Sequence, residues 1–259
     1  MKTILKKRII LCSLSLLILM MPAAVLAIQV TPSEMAVGTT FNGKDLLVSG
    51  KVGAAEDIVV QLTGSASEAE FKRTGKVGGV FWMTVGHLSI SNAPSAYFVY
   101  LPQSVSRWRQ NKEERWSKLH FDYDSLLPQI KIDPEPTDRQ KVFEDFMELK
   151  THDELYQVVE NGVSYEKGKD GEKRFHARIH VPSKMPVAQY QVKVFRLENG
   201  EVQGVEQADF RLKETGFPLL ISSLAFNHSL VYGVLAVIIA IFSGLFMGVI
   251  FQQRGGGAH

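Results

Sequence analysis

The chain is apolar at both ends, and the two apolar segments differ in kind. Near the start, Lys2, Lys6, Lys7 and Arg8 precede the uncharged run Ile9–Met21, followed by Pro22 and the small-residue stretch Val25-Leu26-Ala27. A basic region, a short apolar region and an A-x-A-like site read as a secretory signal peptide over 1–27, cut after Ala27. Near the other end, Leu230 to Phe251 carries no charged residue. At about 1.5 Å rise per residue, some 20 helical residues cross a hydrocarbon core about 30 Å thick, so 228–252 is predicted to span a membrane. Arg254 follows it in a short tail, 253–259, on the cytoplasmic side. The 28–227 region is then exported, facing the periplasm from a bacterial inner membrane. An uncleaved N-terminal anchor is the alternative, and the basic residues before Ile9 would give the same orientation.

The charge balance follows from this division. The full chain has 29 basic and 27 acidic residues, and removing the leader's four cations leaves 25 against 27. The basic pI belongs to the leader, and no nucleic-acid partner is implied. The single cysteine, Cys12, also lies in the leader. The exported region therefore has no disulfide, no cysteine metal site and no thiol nucleophile, and its core must hold it together.

Within the exported region the hydrophobic pattern changes twice. From 28 to 102, strand-length apolar runs (Asp45–Val52, Asp57–Leu62, Val80–Val85, Tyr97–Tyr100) are separated by turns at Asn42-Gly43, Gly50, Gly64 and Gly78-Gly79. Their spacing predicts a β-sandwich. From 103 to 165 the pattern is helical: Val142, Phe143, Phe146 and Leu149, continued by Leu155, Val158 and Val159. Thr137-Asp138 reads as the N-cap and Asn161-Gly162 as the stop. From 166 to 227 alternation returns in Arg174–Val181 and Tyr190–Leu197, with Asn199-Gly200 as a hairpin turn. Pro186 to Tyr190 reads as a tyrosine corner. The fold class is mainly β: an Ig-like sandwich in two parts with a helical insertion. Two small domains are the alternative.

Motifs for chemistry are sparse. The sequence has no Gly-rich phosphate loop, HExxH or GxSxG, so no catalytic residues, metal ligands or cofactors are assigned and the protein is read as non-enzymatic. Three groups of residues remain as candidates. Trp108, Arg109, Lys112 and Trp116 combine the residue types enriched at interface hot spots and lipid headgroups; if helical, the two Trp share a face. The plainer reading is a helix that docks both Trp onto the sandwich. His176, Arg178 and His180 share one strand face and could contact an anion, since Arg hydrogen-bonds anions strongly; a solvated sheet face is the plainer reading. In the apolar helix, Gly233, Ala240, Gly244 and Gly248 form a small-residue face with a GxxxG step, against which a second helix can pack closely.

Several stretches resemble a bacterial family of membrane-anchored proteins known as "putative transmembrane protein". They are Phe41-Asn42-Gly43 before Leu46-Leu47-Val48, Val77 to Met83, Pro94-Ser95-Ala96-Tyr97, and Val231-Tyr232-Gly233 at the start of the terminal helix. The resemblance covers nearly all of 28–252 and implies an exported β-rich domain with a C-terminal anchor and no catalytic residues. The family's association with sulfite-exporter-type permeases implies a transport-accessory role. Its members end the helix with paired arginines, whereas here Arg254 stands alone. The expected function is a membrane-anchored accessory protein whose partner is a membrane protein, such as that permease, or a second copy of itself through the helix. The alternative is a sensing or anion-binding domain.

Overall fold

A computed structural model describes residues 28–168 and 172–252. Residues 1–27, read above as a leader, and the tail containing Arg254 lie outside the described residues. Strand outweighs helix, 48% to 29%, which makes the protein mainly β. The strands are β1 (Gln29–Thr31), β2 (Glu34–Val37), β3 (Lys44–Gly53), β4 (Asp57–Gly64), β5 (Ala66–Val77), β6 (Phe81–Pro94), β7 (Tyr97–Pro102), β8 (Lys131–Asp133), β9 (Tyr156–Lys167), β10 (Glu172–Val181), β11 (Gln189–Glu198) and β12 (Glu201–Glu214). The helices are α1 (Gln103–Gln110), α2 (Glu114–Leu119), α3 (Arg139–His152), α4 (Phe217–Asn227) and α5 (Ser229–Gln252).

Nine strands form one sheet in the order β1-β3-β10-β9-β7-β4-β11-β12-β2. Its two edges, β1 and β2, are consecutive in the chain and separated only by Pro32 and Ser33. Laid flat, nine strands about 4.8 Å apart would put those edges roughly 38 Å from each other, whereas Thr31 to Glu34 reaches about 11 Å at most. The sheet therefore wraps until its edges meet: β1 pairs antiparallel with β3, and β2 runs parallel to β12.

The wrap buries one face of strands such as β10 and β11. Along β10, Phe175, Ala177, Ile179 and Val181 are buried while Arg174, Arg178 and His180 are exposed. Leu46, Val48, Ile58, Val60, Leu62, Val192, Val194, Phe210 and Leu212 complete the interior. Alternation with period two is what places them there. Tyr190, at the start of β11, is buried and donates its hydroxyl proton to the carbonyl of Pro186. Asn199 and Gly200, both with positive φ, form the two-residue turn between β11 and β12, as the sequence predicts.

The segment 103–165, read as a helical insertion, is strand from Tyr156 onward. Its last helix, α3, starts at the predicted N-cap, where the Asp138 carboxylate accepts from the Lys141 N–H at 3.0 Å. It ends at His152, and Leu155, Val158 and Val159 do not continue it; Val158 and Val159 belong to strand β9, paired in parallel with β7. Apolar residues with no clear alternation fit either period, and pairing to β7 decided between them. Asn161-Gly162 is accordingly a bulge inside that strand and no helix stop. Tyr100 pairs with Val159 and Pro102 with Val163, so two extra residues are accommodated in β9. Asn161 has φ 56°, and a Cβ on Gly162 would lie 2.6 Å from the Tyr100 ring.

The helices cover the outer face of the sheet at β7, which is buried along its whole length. Tyr97 donates to the Phe121 carbonyl and accepts from Gln61, both at 3.1 Å. Phe121 stacks edge-on against Phe195 of β11, with ring centroids 4.9 Å apart. A second, three-stranded sheet, β5-β6-β8, stands beside this layer.

Burial raises the phenols of six tyrosines: Tyr97 and Tyr190 to about 12, and Tyr100, Tyr123, Tyr156 and Tyr165 in the same direction. A folded-state value above the unfolded value of about 10 stabilises fully below pH 10 and less as pH rises through the folded value. Phenolate absorbance from these tyrosines is expected to appear above about pH 10 together with loss of the near-ultraviolet circular dichroism. Ionisation with the dichroism intact would contradict their burial.

Candidate functional site

The helix α5 gives the chain its plainest functional feature. Its 24 residues extend about 36 Å, and its apolar surface is exposed throughout. Among the described residues it touches chiefly α4, itself apolar and open at Phe217, Leu219, Leu220 and Phe226. A fully apolar, uncovered helix of this length suits a bilayer and not water. On it, a Cβ placed at Gly233, Gly244 or Gly248 would meet nothing within 4 Å, and Ala240 is exposed beside them. The small-residue face is open for packing.

The Trp108–Trp116 stretch is not a single helix. Asn111 caps α1, Lys112 takes φ 52°, and α2 starts anew at Glu114. The two Trp therefore do not share a face. Trp116 is buried and donates its indole N–H to Asp122; Trp108 is half-buried against the core. Arg109 bridges Glu160 at 2.8 Å and Asp122 at 3.5 Å and lies over the Trp116 ring, while Arg115 lies over Trp108. Hydrogen bonds from Gln110 and Arg109 hold the Glu160 carboxyl below its ordinary value. Of the four residues read as a contact surface, only Lys112 is fully exposed. The segment fastens α1 and α2 to the sheet, and the shared Trp face expected of it is not formed.

His176, Arg178 and His180 do share the outer face of β10, as predicted, but a carboxylate stands among them. Asp45 of the neighbouring strand β3 lies 2.9 Å from His180 Nδ1 and 4.0 Å from Arg178 Nε, and Glu166 lies 3.5 Å from His176 Nε2. An anion arriving here would meet Asp45 as well as Arg178, because cross-strand neighbours set carboxylates beside these side chains. Among the described residues no three His, Cys, Asp or Glu side chains are placed to hold a metal ion.

The feature that sequence reasoning passed over is the far end of the β5–β6 hairpin. Val80, Phe81, Trp82 and Met83 are 72%, 69%, 68% and 55% exposed, and Val85 is open as well. The signal was present in the sequence: four consecutive apolar residues directly after Gly78-Gly79, without the alternation of a half-buried strand. At the hairpin's base a groove of about 480 Å³ runs alongside α3, lined by apolar side chains such as Phe71, Leu88 and Phe146 and by both cations (Lys72, Arg73, Lys141) and carboxylates (Asp138, Asp145).

With these features in place, comparison with known proteins is informative. The family described as "Putative transmembrane protein (Alph_Pro_TM)" matches residues 25–253, from the edge of the leader to the end of α5. The chain belongs to this family. The match spans the β domain and the apolar helix together, so membrane anchoring fits the family as a whole. No curated protein matches the sequence.

The two exposures predict opposite mutational costs. Trp116→Ala removes a buried ring and its indole hydrogen bond to Asp122, so urea unfolding should show a loss of about 3–5 kcal/mol. Trp82→Ala removes an exposed ring and should stay within about 0.5 kcal/mol of the parent. Equal losses would contradict the assignment of one Trp to the core and the other to the surface.

Proposed function

We propose that the protein is a non-enzymatic, membrane-anchored interaction module. It belongs to the inner membrane, with its β domain on the periplasmic side, its C-terminus in the cytoplasm and its leader removed. The domain is an Ig-like sandwich. The strand order, the parallel pairing of β2 with β12 and the bond from the Tyr190 hydroxyl to the Pro186 carbonyl support that reading.

The observation that carries the function is the uncovered small-residue face of α5. In lipid, helix association depends on close packing because the surrounding chains are as apolar as the side chains. A face with Gly233, Gly244 and Gly248 open to a depth of 4 Å or more lets a second backbone approach. The partner is a multi-span membrane protein, and the family resemblance suggests a sulfite-exporter-type permease. The charge-balanced face of β10 gives the anion-sensing alternative no support.

Purification of the full-length protein from its native membranes in mild detergent, followed by mass spectrometry, tests this directly. A multi-span protein is expected in stoichiometric amount, and Gly244→Leu with Gly248→Leu should remove it without altering the melting of the β domain. Recovery of the wild type alone would overturn the reading. Recovery only with itself would replace the foreign partner with a second copy.

A further inference from the structure

The β5–β6 hairpin leaves the body of the protein as a two-stranded ribbon. β6 has one other partner, β8, and pairs with it only at Ser89–Ser91. Beyond that point, among the described residues, the ladder from Arg73–Gly86 to Val77–Phe81 has no further strand beside it. The twelve residues of β5 reach about 36 Å at roughly 3.3 Å each. Free ribbons are marginal in water, and this one places its largest apolar side chains at the free end.

The chemistry along the ribbon is graded. At the tip are Val80, Phe81, Trp82 and Met83, exposed on both faces of the ribbon. Just behind them Lys76 lies over the Trp82 ring, 5.5 Å from its centroid. Further back are Lys72 and Arg73, both exposed. Between Phe71 and Leu88 the sequence has these three cations and no acidic residue. An apolar end, an aromatic with a basic neighbour and then further cations follow the profile of an anionic bilayer from acyl boundary to headgroup.

We propose that this tip is a second membrane contact, inserting Val80–Met83 into the acyl boundary of the bilayer that holds α5 while Lys72, Arg73 and Lys76 meet anionic headgroups. The tether makes the contact efficient. Residues 215–228 alone separate β12 from α5, and Phe217–Asn227 of them form the apolar helix α4, so the tether between domain and anchor is short. Insertion is then an intramolecular step at high effective concentration, and a few apolar side chains suffice. Two attachments would also fix the orientation of the domain on the membrane, which a single flexible anchor would not.

The test uses the full-length chain in phosphatidylcholine vesicles with and without phosphatidylglycerol. Because the proposal rests on α5 as the anchor, flotation with the vesicles is scored separately, so a failed anchor is distinguished from a failed tip. Bromine-labelled acyl chains are expected to quench wild-type fluorescence more than that of Trp82→Phe, and more strongly with phosphatidylglycerol present. Lys72→Glu, Arg73→Glu and Lys76→Glu together should abolish the difference while flotation persists. Equal quenching of wild type and Trp82→Phe in floated vesicles would overturn the proposal. In native membranes, a benzophenone amino acid in place of Trp82 should form adducts with lipid. Adducts with a protein instead would overturn the lipid contact and make the tip a protein interface.

Discussion

The short join between β1 and β2 is the constraint on which the rest of the fold depends. Two residues, Pro32 and Ser33, connect the opposite edges of a nine-stranded sheet, so the sheet must wrap and its alternating side chains must converge on one interior. That interior has no disulfide, because the sequence's one cysteine is Cys12, ahead of the described residues. Apolar burial and satisfied backbone pairing hold the domain. The edge strands β1 and β2 are short, three and four residues, which limits the open edge that makes β-proteins prone to association.

Once the sheet has closed, its outer faces are largely committed. The segment from α1 through α3 covers β7 and the strands beside it, with Trp116, Phe121 and Tyr97 as its fastenings. The face of β10 is balanced by Asp45 and Glu166. What stays open lies at the extremities: the helix α5, the tip of the β5–β6 hairpin and the groove at its base. Two of these three are apolar surfaces that suit a membrane, and both belong to a chain whose family is described by its relation to one.

The strands were legible where alternation was clean. Arg174–Val181 and Tyr190–Leu197, with Asn199-Gly200 between β11 and β12, appear where the pattern put them. The apolar helix was legible from length and the absence of charge. The helix–strand boundary after His152 was not, because Leu155, Val158 and Val159 are compatible with either period and only pairing to β7 selects the strand. Asn161-Gly162 misled for a related reason: positive φ serves a bulge as well as a stop. β5 was missed because Glu68, Glu70, Lys72 and Arg73 hide an exposed ribbon from a search for buried faces. The Trp108–Trp116 segment looked like a surface because composition does not report exposure; the left-handed Lys112 that splits it turns Trp116 into the core.

The central claim is that the protein works through the small-residue face of α5, and cysteine cross-linking in native membranes tests it most directly. With the leader removed the mature chain would carry no cysteine of its own, so single substitutions report cleanly. Gly233→Cys, Ala240→Cys, Gly244→Cys and Gly248→Cys are predicted to cross-link to one larger membrane protein. Leu235→Cys, Phe242→Cys and Phe246→Cys, on the opposite side of the helix, are predicted not to. Cross-links spread evenly around the helix, or confined to the opposite side, would contradict the account.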